Sequence, residues 1–386
     1  MDEFLIIGGL LLLLFFLVNY FFQKLRIPSL LAYIILGIVI TNVFLTEEIP
    51  SIEYVADIGI IILFFLLGLH YPLNHLLNIS RRIWKVGLMD VLFNFVVTAL
   101  LAYVFGFDLF SALIIGGVAY ASSSSITLKM LEDTKREHTP EAEFKVGLLI
   151  FEDLVAPVMV SFLIGFSYEG AITVGTISMI TINVILLIAV SVIFARYGFR
   201  KLELFINRYL NKDFFPLLIL AIIFIMSGIA AYLELSKLLG AFLAGVMISE
   251  TRAYRQIEPL IEPLKNITLP FFFFWFGTTV VFEAGIKSPG LLVLLILWGL
   301  IAKLIVGIWG GKIYGLTLNG SLRAAFSLGQ RGEFSVVIAA LADPVLRVFG
   351  GIYIVVTALA GVIMFNKAPQ IAKFIRFYLK KYSLVK

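Results

Sequence analysis

From Phe4 to Phe22 the chain carries no charged residue and one strongly polar one, Asn19. Runs of this kind recur along its length and limit the fold more than any other feature. At 1.5 Å per residue, a helix of this length covers roughly the 30 Å hydrocarbon core of a bilayer. Of the 386 residues, 61% are hydrophobic and 14% charged, and the mean hydropathy is +1.04. A water-soluble domain cannot hide so much apolar surface, so the solvent is lipid and the fold class is all-α integral membrane. The 36 Phe and 31 Gly fit helices that cross closely in lipid.

Thirteen apolar segments are expected as spans, at 4–22, 28–45, 54–70, 84–104, 109–130, 141–166, 171–195, 214–232, 236–249, 267–283, 290–311, 321–342 and 348–366. Charge between them sets the orientation. Twenty-five of the 30 Lys and Arg fall on one side, including Arg26, Arg81, Arg82, Lys145, Arg200, Lys201, Arg208, Lys212 and Arg252. Three (Lys237, Lys287, Arg347) fall on the other, with the acidic Glu47-Glu48. The positive-inside rule then puts the N-terminus outside and the C-terminus in the cytoplasm of a multi-pass protein of the cell membrane. The net charge of +5 is accounted for by this topology, so no nucleic-acid partner is expected. The first span follows Asp2-Glu3 and lacks a small-residue cleavage site, unlike a removable signal. Cys is absent and His70, His75 and His138 do not cluster, so neither cofactor nor resident metal is expected.

An internal repeat organises the spans. "IPSLLAYIILGIVI" (27–40) aligns with "LSKLLGAFLAGVMI" (235–248), matching Gly37 to Gly245. "ILFFLLGL" (62–69) follows over "FFFFWFGT" (271–278), Gly68 over Gly277, and the fifth span falls over the twelfth. Seven spans separate counterparts, an odd number, so the two six-helix repeats have inverted topology, an arrangement used by transporters. The expected organisation is a first repeat over 1–166, a linker span and loop over 167–213, a second repeat over 214–366 and a basic tail over 367–386. The tail "KFIRFYLKKYSLVK" reads as an amphipathic helix on anionic membrane lipids.

The fifth and twelfth spans have the most polar centres. One carries Ser122, Ser123, Ser124, Ser125 and Thr127, the other Gly329, Gln330, Arg331, Gly332 and Glu333. Serine competes for backbone hydrogen bonds and glycine tolerates unusual dihedrals, so both spans are expected to break, and to cross at their breaks. The serines either line an ion site or join helices. Arg331 and Glu333 either belong to the ion site or form a mutual ion pair across the break.

Glu152 and Asp153 adjoin in the apolar run "GLLIFEDLVAPV" (147–158). Thr139-Pro140 reads as a cap followed by a first-turn proline, placing Asp153 about 20 Å along the sixth span, mid-membrane. A carboxylate there costs at least about 2.5 kcal/mol. Pro157 lacks an N–H and leaves the carbonyl of Asp153 without its helical partner, a second oxygen ligand for a hard cation. Adjacent helical residues point about 100° apart, so one acid lines the pathway and the other meets a partner. Lys303, too deep in its span to snorkel, supplies that partner. The favoured pairing is Glu152–Lys303 with Asp153 as exchange site; the alternative pairs Asp153 with Lys303. A carboxylate that takes either a proton or a monovalent cation, exposed alternately to each side, is sufficient for antiport.

At these residues the sequence resembles the cation:proton antiporter-2 family, in particular its Kef-type and KhtU-like potassium/proton antiporters. The motifs are "ASSSSI" (121–126), "LLIFEDL" (148–154) and "RGEFSVV" (331–337), and the resemblance runs along essentially the whole chain. It implies an NhaA/NapA-like fold and a homodimer whose core domain moves against a dimerisation domain. It implies that Asp153 binds the ion with help from Ser and Thr of the broken fifth helix. Glu-Asp at 152–153 is closer to the KhtU-like pattern and points to K⁺ for H⁺, with Na⁺ or Li⁺ at the same site as the alternative. Kef proteins usually carry a large cytoplasmic regulatory domain. Here about 20 residues follow the last span, so regulation by such a domain in cis is not expected unless the sequence is truncated, and a separate cytoplasmic subunit, as in the KhtU-like arrangement, is the alternative. Whether Lys303 stays paired decides between electroneutral and electrogenic exchange.

Weaker signals are Asp57, read as an interfacial residue or a pathway entrance, and Asp90 with Asn94, read as helix–helix hydrogen bonding. Glu141, Glu143 and Lys145 read as structural residues at a helix start. A cation channel and a sodium-coupled symporter fit the Glu-Asp/Lys triad less well. An intramembrane aspartyl protease would need its acids on different helices, so no enzyme is expected.

Overall fold

A computed structural model describes residues 2–25, 27–44, 50–72, 83–169, 172–198, 215–251 and 254–381. Of the residues named above, Arg26, Glu47, Glu48, His75, Arg81, Arg82, Arg200, Lys201, Arg208, Lys212 and Arg252 lie outside them, as does most of the loop in 167–213. Each of the thirteen apolar segments contains helix among its described residues, and nine of the described helices are long and apolar enough to cross a membrane. The helices form two compact units.

The first unit comprises Met1–Glu48, Ser80–Glu152 and Phe273–Lys386. It holds α1 (Asp2–Lys24), α2 (Ser29–Val43), α4 (Ile83–Val104), α5 (Leu109–Tyr120) and α6 (Ser124–Asp133). The start of α7 (Pro140–Glu169) also belongs to it, with α12 (Pro289–Tyr314), α13 (Leu318–Ala325), α14 (Glu333–Ala340) and α15 (Pro344–Lys381). The second comprises Ile49–Ile79 and Asp153–Phe272. It holds α3 (Pro50–Leu69), the remainder of α7, α8 (Val174–Ile193), α9 (Phe215–Tyr232), α10 (Lys237–Ser249) and most of α11 (Tyr254–Thr278). The compact units thus interleave along the sequence instead of following its halves.

The aligned glycines explain how each unit closes. In the first unit Gly37 on α2 meets Gly277 at the end of α11. A Cβ on Gly37 would lie 2.2 Å from the carbonyl oxygen of Phe274, and one on Gly277 would lie 2.3 Å from that of Ile34. In the second unit Gly245 on α10 meets Gly68 on α3, where a Cβ would lie 2.1 Å from the carbonyl oxygen of Phe65 or 2.0 Å from that of Phe242. These are backbone-to-backbone contacts, and only a residue without a side chain permits them. Each unit therefore contains the same joint, built from the second helix of one repeat and the third of the other.

Three expectations change. The span predicted from 267 begins at Tyr254, because Ile257 and Ile261, one turn apart, are both buried and carry the helix through a polar stretch containing Pro259 and Pro263. The last span, expected to end at 366, belongs to a helix that runs unbroken past Pro369 to Lys381, so the described part of the tail continues it. The Thr139 hydroxyl does not cap α7 but donates to the carbonyl of Arg136, at 2.8 Å.

Candidate functional site

Two helices break where the sequence is most polar. The helix of the fifth span stops at Tyr120 and resumes at Ser124, and the Ser123 hydroxyl caps the second half by accepting from the N–H of Ile126 at 3.2 Å. The twelfth stops at Ala325 and resumes at Glu333. The breaks meet. Ser122 and Arg331 form an antiparallel bridge, and the N–H of Ser123 donates to the carbonyl of Gln330 at 2.9 Å. Gly332 is required here, since a Cβ would stand 2.3 Å from that of Ser123. Backbone groups freed by unwinding are thereby satisfied within protein, the condition for irregular chain at this depth.

The side chains of the two breaks interlock. Glu333, in the first turn of α14, accepts from the hydroxyls of Ser123 (2.9 Å) and Ser125 (3.0 Å). Ser122 donates to the carbonyl of Leu328 at 3.0 Å, and the Gln330 amide donates to Thr127. Ser124 is buried in the same break, and Gly329 lies in the unwound stretch. The hydroxyls of Ser122, Ser123 and Ser125 thus join the two helices. Of the two readings of Arg331 and Glu333, the mutual ion pair is not seen among the described residues. Fully buried Arg331 donates to the carbonyl of Tyr120 (3.1 Å) and to Asn94 Oδ1 (3.0 Å). Partners brought by the crossing outcompete the sequence neighbour: Arg331 finds fixed carbonyl acceptors, and Glu333 finds hydroxyl donors at a helix start, where an acid is favoured.

Both adjacent acids are fully buried and they part company. Glu152 Oε1 lies 3.0 Å from Lys303 Nζ, and Oε2 accepts from the N–H of Ser122. Asp153 Oδ2 accepts from the hydroxyl of Tyr71 at 3.1 Å. One turn beyond lies Pro157, inside a helix that continues to Glu169; its carbonyl accepts from the Ser161 hydroxyl at 2.9 Å. Asp57 pairs with Lys237, both side chains about two-fifths exposed.

Two groups were not assigned to this site from sequence. Asp90 holds Lys303 as closely as Glu152 does, with Oδ1 and Oδ2 at 2.9 and 3.1 Å, and Asn94 links Asp90 (2.9 Å) to Arg331. A continuous buried chain therefore runs Glu152–Lys303–Asp90–Asn94–Arg331. The α-helices on both sides of it loosen into π-turns, at Val91–Val96 after Asp90 and at Val306–Gly310 after Lys303; such bulges recur at functional sites. The signal was a charge count: Asp90, Glu152, Asp153 and Glu333 are four mid-span acids for two mid-span cations, Lys303 and Arg331, so one cation had to serve more than one acid. Tyr71, the second group, follows the third span in a "HYP" sequence that carries no comparable mark. Among the described residues no group of three or more His, Cys, Asp or Glu is placed to hold a metal ion.

Known proteins share the sequence pattern or the fold of this chain. Residues 10–368 match the family described as sodium/hydrogen exchanger, transmembrane. The ammonium/H⁺ antiporter subunit AmhT of Alkalihalophilus pseudofirmus is 43% identical over 97% of this chain and 95% of its own length. The K⁺/H⁺ antiporter subunit KhtU of Bacillus subtilis is 28% identical over 89% and 86%. The sodium proton antiporter MjNhaP1 of Methanocaldococcus jannaschii superposes with a TM-score of 0.74 over 96% of this chain and 99% of that one, at 16% identity, and so has the same fold. With its crossed half-helices and a match along almost its whole length, the chain belongs to the sodium/hydrogen exchanger family, as a multi-pass cation:proton antiporter of the Kef and KhtU-like kind.

Proposed function

We propose that the chain exchanges a monovalent cation, potassium or ammonium, for protons by alternating access, with cation and proton competing for Asp153. The observation that carries this reading is the division of labour at 152–153. Glu152 is committed to Lys303 and to the first break, whereas Asp153 faces the neutral phenol of Tyr71. Lys303, held by two carboxylates, is occupied apart from the exchange site. K⁺ and NH₄⁺ are nearly equal in size, so a site of oxygen ligands that suits one suits the other. The names of the two sequence relatives support that pair of ions. Exchange of Na⁺ or Li⁺ at the same site is the second reading, favoured by the family description and by the structural relative.

Both sequence relatives are named as subunits, which supports a separate cytoplasmic regulatory partner here. A homodimer in the cell membrane completes the proposal. The test is exchange in vesicles carrying a pH gradient and a pH-sensitive dye, with K⁺, NH₄⁺, Na⁺ or Li⁺ added outside and protein-free vesicles correcting for ammonia leakage. Potassium and ammonium should dequench the dye with wild-type protein, and Asp153→Asn should abolish the response. A response to Na⁺ and Li⁺ alone moves the chain to the second reading. Full activity in Asp153→Asn removes Asp153 from the mechanism.

A further inference from the structure

At the opening of α7, outside the crossing, three basic side chains gather around one carboxylate. Arg136 comes from the turn before α7, Glu141 and Lys145 from its first turns, and Arg323 from α13. Arg323 donates to Glu141 Oε2 at 2.9 Å, and Arg136 Nη2 stands 3.7 Å from Oε1. Glu141 is 1% exposed and Lys145 0%. Although one turn from Glu141, the Lys145 ammonium makes no hydrogen bond among the described residues. It stands instead 4.4 Å over the ring of Phe365. The Arg136 guanidinium stands 5.0 Å over the same ring. Phe365 itself packs into an apolar floor of Ile126, Met130, Leu131, Ala142 and Val362. The Nε groups of Arg136 and Arg323 are also without hydrogen-bond partners.

One carboxylate thus faces two guanidinium groups and a buried amine, so basic groups exceed acidic ones in a largely dehydrated setting. A buried charge needs an anion, and contact with an aromatic face recovers only part of what is lost with water. We propose that this cluster binds a phosphate-class anion, its oxygens bridging Arg136 and Arg323 above Lys145. The Arg136 and Arg323 side chains are 11% and 30% exposed, so approach is open at the guanidinium end while Lys145 forms the base. A phosphate group is anionic at neutral pH, about −1.5 to −2 as a monoester and −1 as a diester, and guanidinium groups bind its oxygens in pairs. The start of a 30-residue helix adds partial positive charge at the same place. Glu141 holds Arg323 and keeps Arg136 close. The phosphate can belong to a solute or to a lipid headgroup.

The full chain, purified in neutral detergent, would be melted by tryptophan fluorescence in two arms. One titrates inorganic phosphate at an ionic strength held constant with chloride; the other adds phosphatidylglycerol to phosphatidylcholine micelles. A saturable rise of several degrees with phosphate assigns the site to a soluble anion, and a rise with phosphatidylglycerol alone assigns it to a headgroup. Either rise should need at least tenfold more ligand in Arg136→Gln, and Lys145→Met carries the same expectation should the first variant not fold. No rise beyond the chloride control in either arm, or an undiminished one in the folded variant, overturns the proposal.

Discussion

Lys303 is held between two buried carboxylates, and its removal is the sharpest test of the buried chain. Lys303→Met would leave Asp90 and Glu152 facing each other with no cation between them. Removing one partner of a buried ion pair costs about 3–5 kcal/mol, because the remaining charge stays desolvated. The expected result is a melting temperature in detergent many degrees below wild type. Neutralising all three groups together (Asp90→Asn, Glu152→Gln, Lys303→Met) should recover most of that loss, since buried ion clusters replaced by neutral groups often lose little. A single Lys303→Met variant that melts with wild type would mean the cluster bears no such strain. Which carboxylate held Lys303 was legible at this scale only in part. The 100° offset between Glu152 and Asp153 gave one pairing, but Asp90 lies 213 residues from Lys303 in sequence, and no local pattern announces a partner that far away.

At the scale of elements, the crossing was legible because its causes are local. Four consecutive serines and a Gly-Gln-Arg-Gly stretch mark where a helix cannot close its own hydrogen bonds, whichever partner comes to meet it. The side-chain pattern within the crossing was not legible for the opposite reason. Arg331 and Glu333 are two residues apart, yet each is claimed by groups that only the crossing supplies. The glycine joints lead to a prediction of their own. Gly245→Ala inserts a methyl where a carbonyl oxygen lies 2.1 Å away, so α3 and α10 must separate. Its folded yield and melting temperature should fall clearly. Gly8→Ala, in a part of α1 with nothing within 4 Å, should leave both unchanged or raise them slightly, as alanine favours helix by about 1 kcal/mol. Equal effects of the two changes would show that close approach is not what Gly245 provides.

For the whole molecule the open question is which end faces the cytoplasm, and the absence of cysteine makes it directly measurable. Lys129, Glu283 and Lys373 are all exposed, so a single cysteine at each should react freely with a membrane-impermeant maleimide. On intact cells Glu283→Cys should be labelled, while Lys129→Cys and Lys373→Cys should react only after lysis. The reverse pattern would invert the orientation derived from charge. That derivation counted Lys145 among the charges of the basic side. In the folded chain it is buried, because Glu141, one turn before it, draws Arg136 and Arg323 around the start of α7. The repeat itself was visible as a few matched residues, and its physical meaning emerges only from the contacts: Gly37 against Gly277 and Gly245 against Gly68. A joint made twice in one chain gives each copy an internal reference. Damage confined to one should be seen against its undamaged twin within the same molecule, as a difference in amide-exchange rate that no variation in preparation, detergent or temperature can imitate.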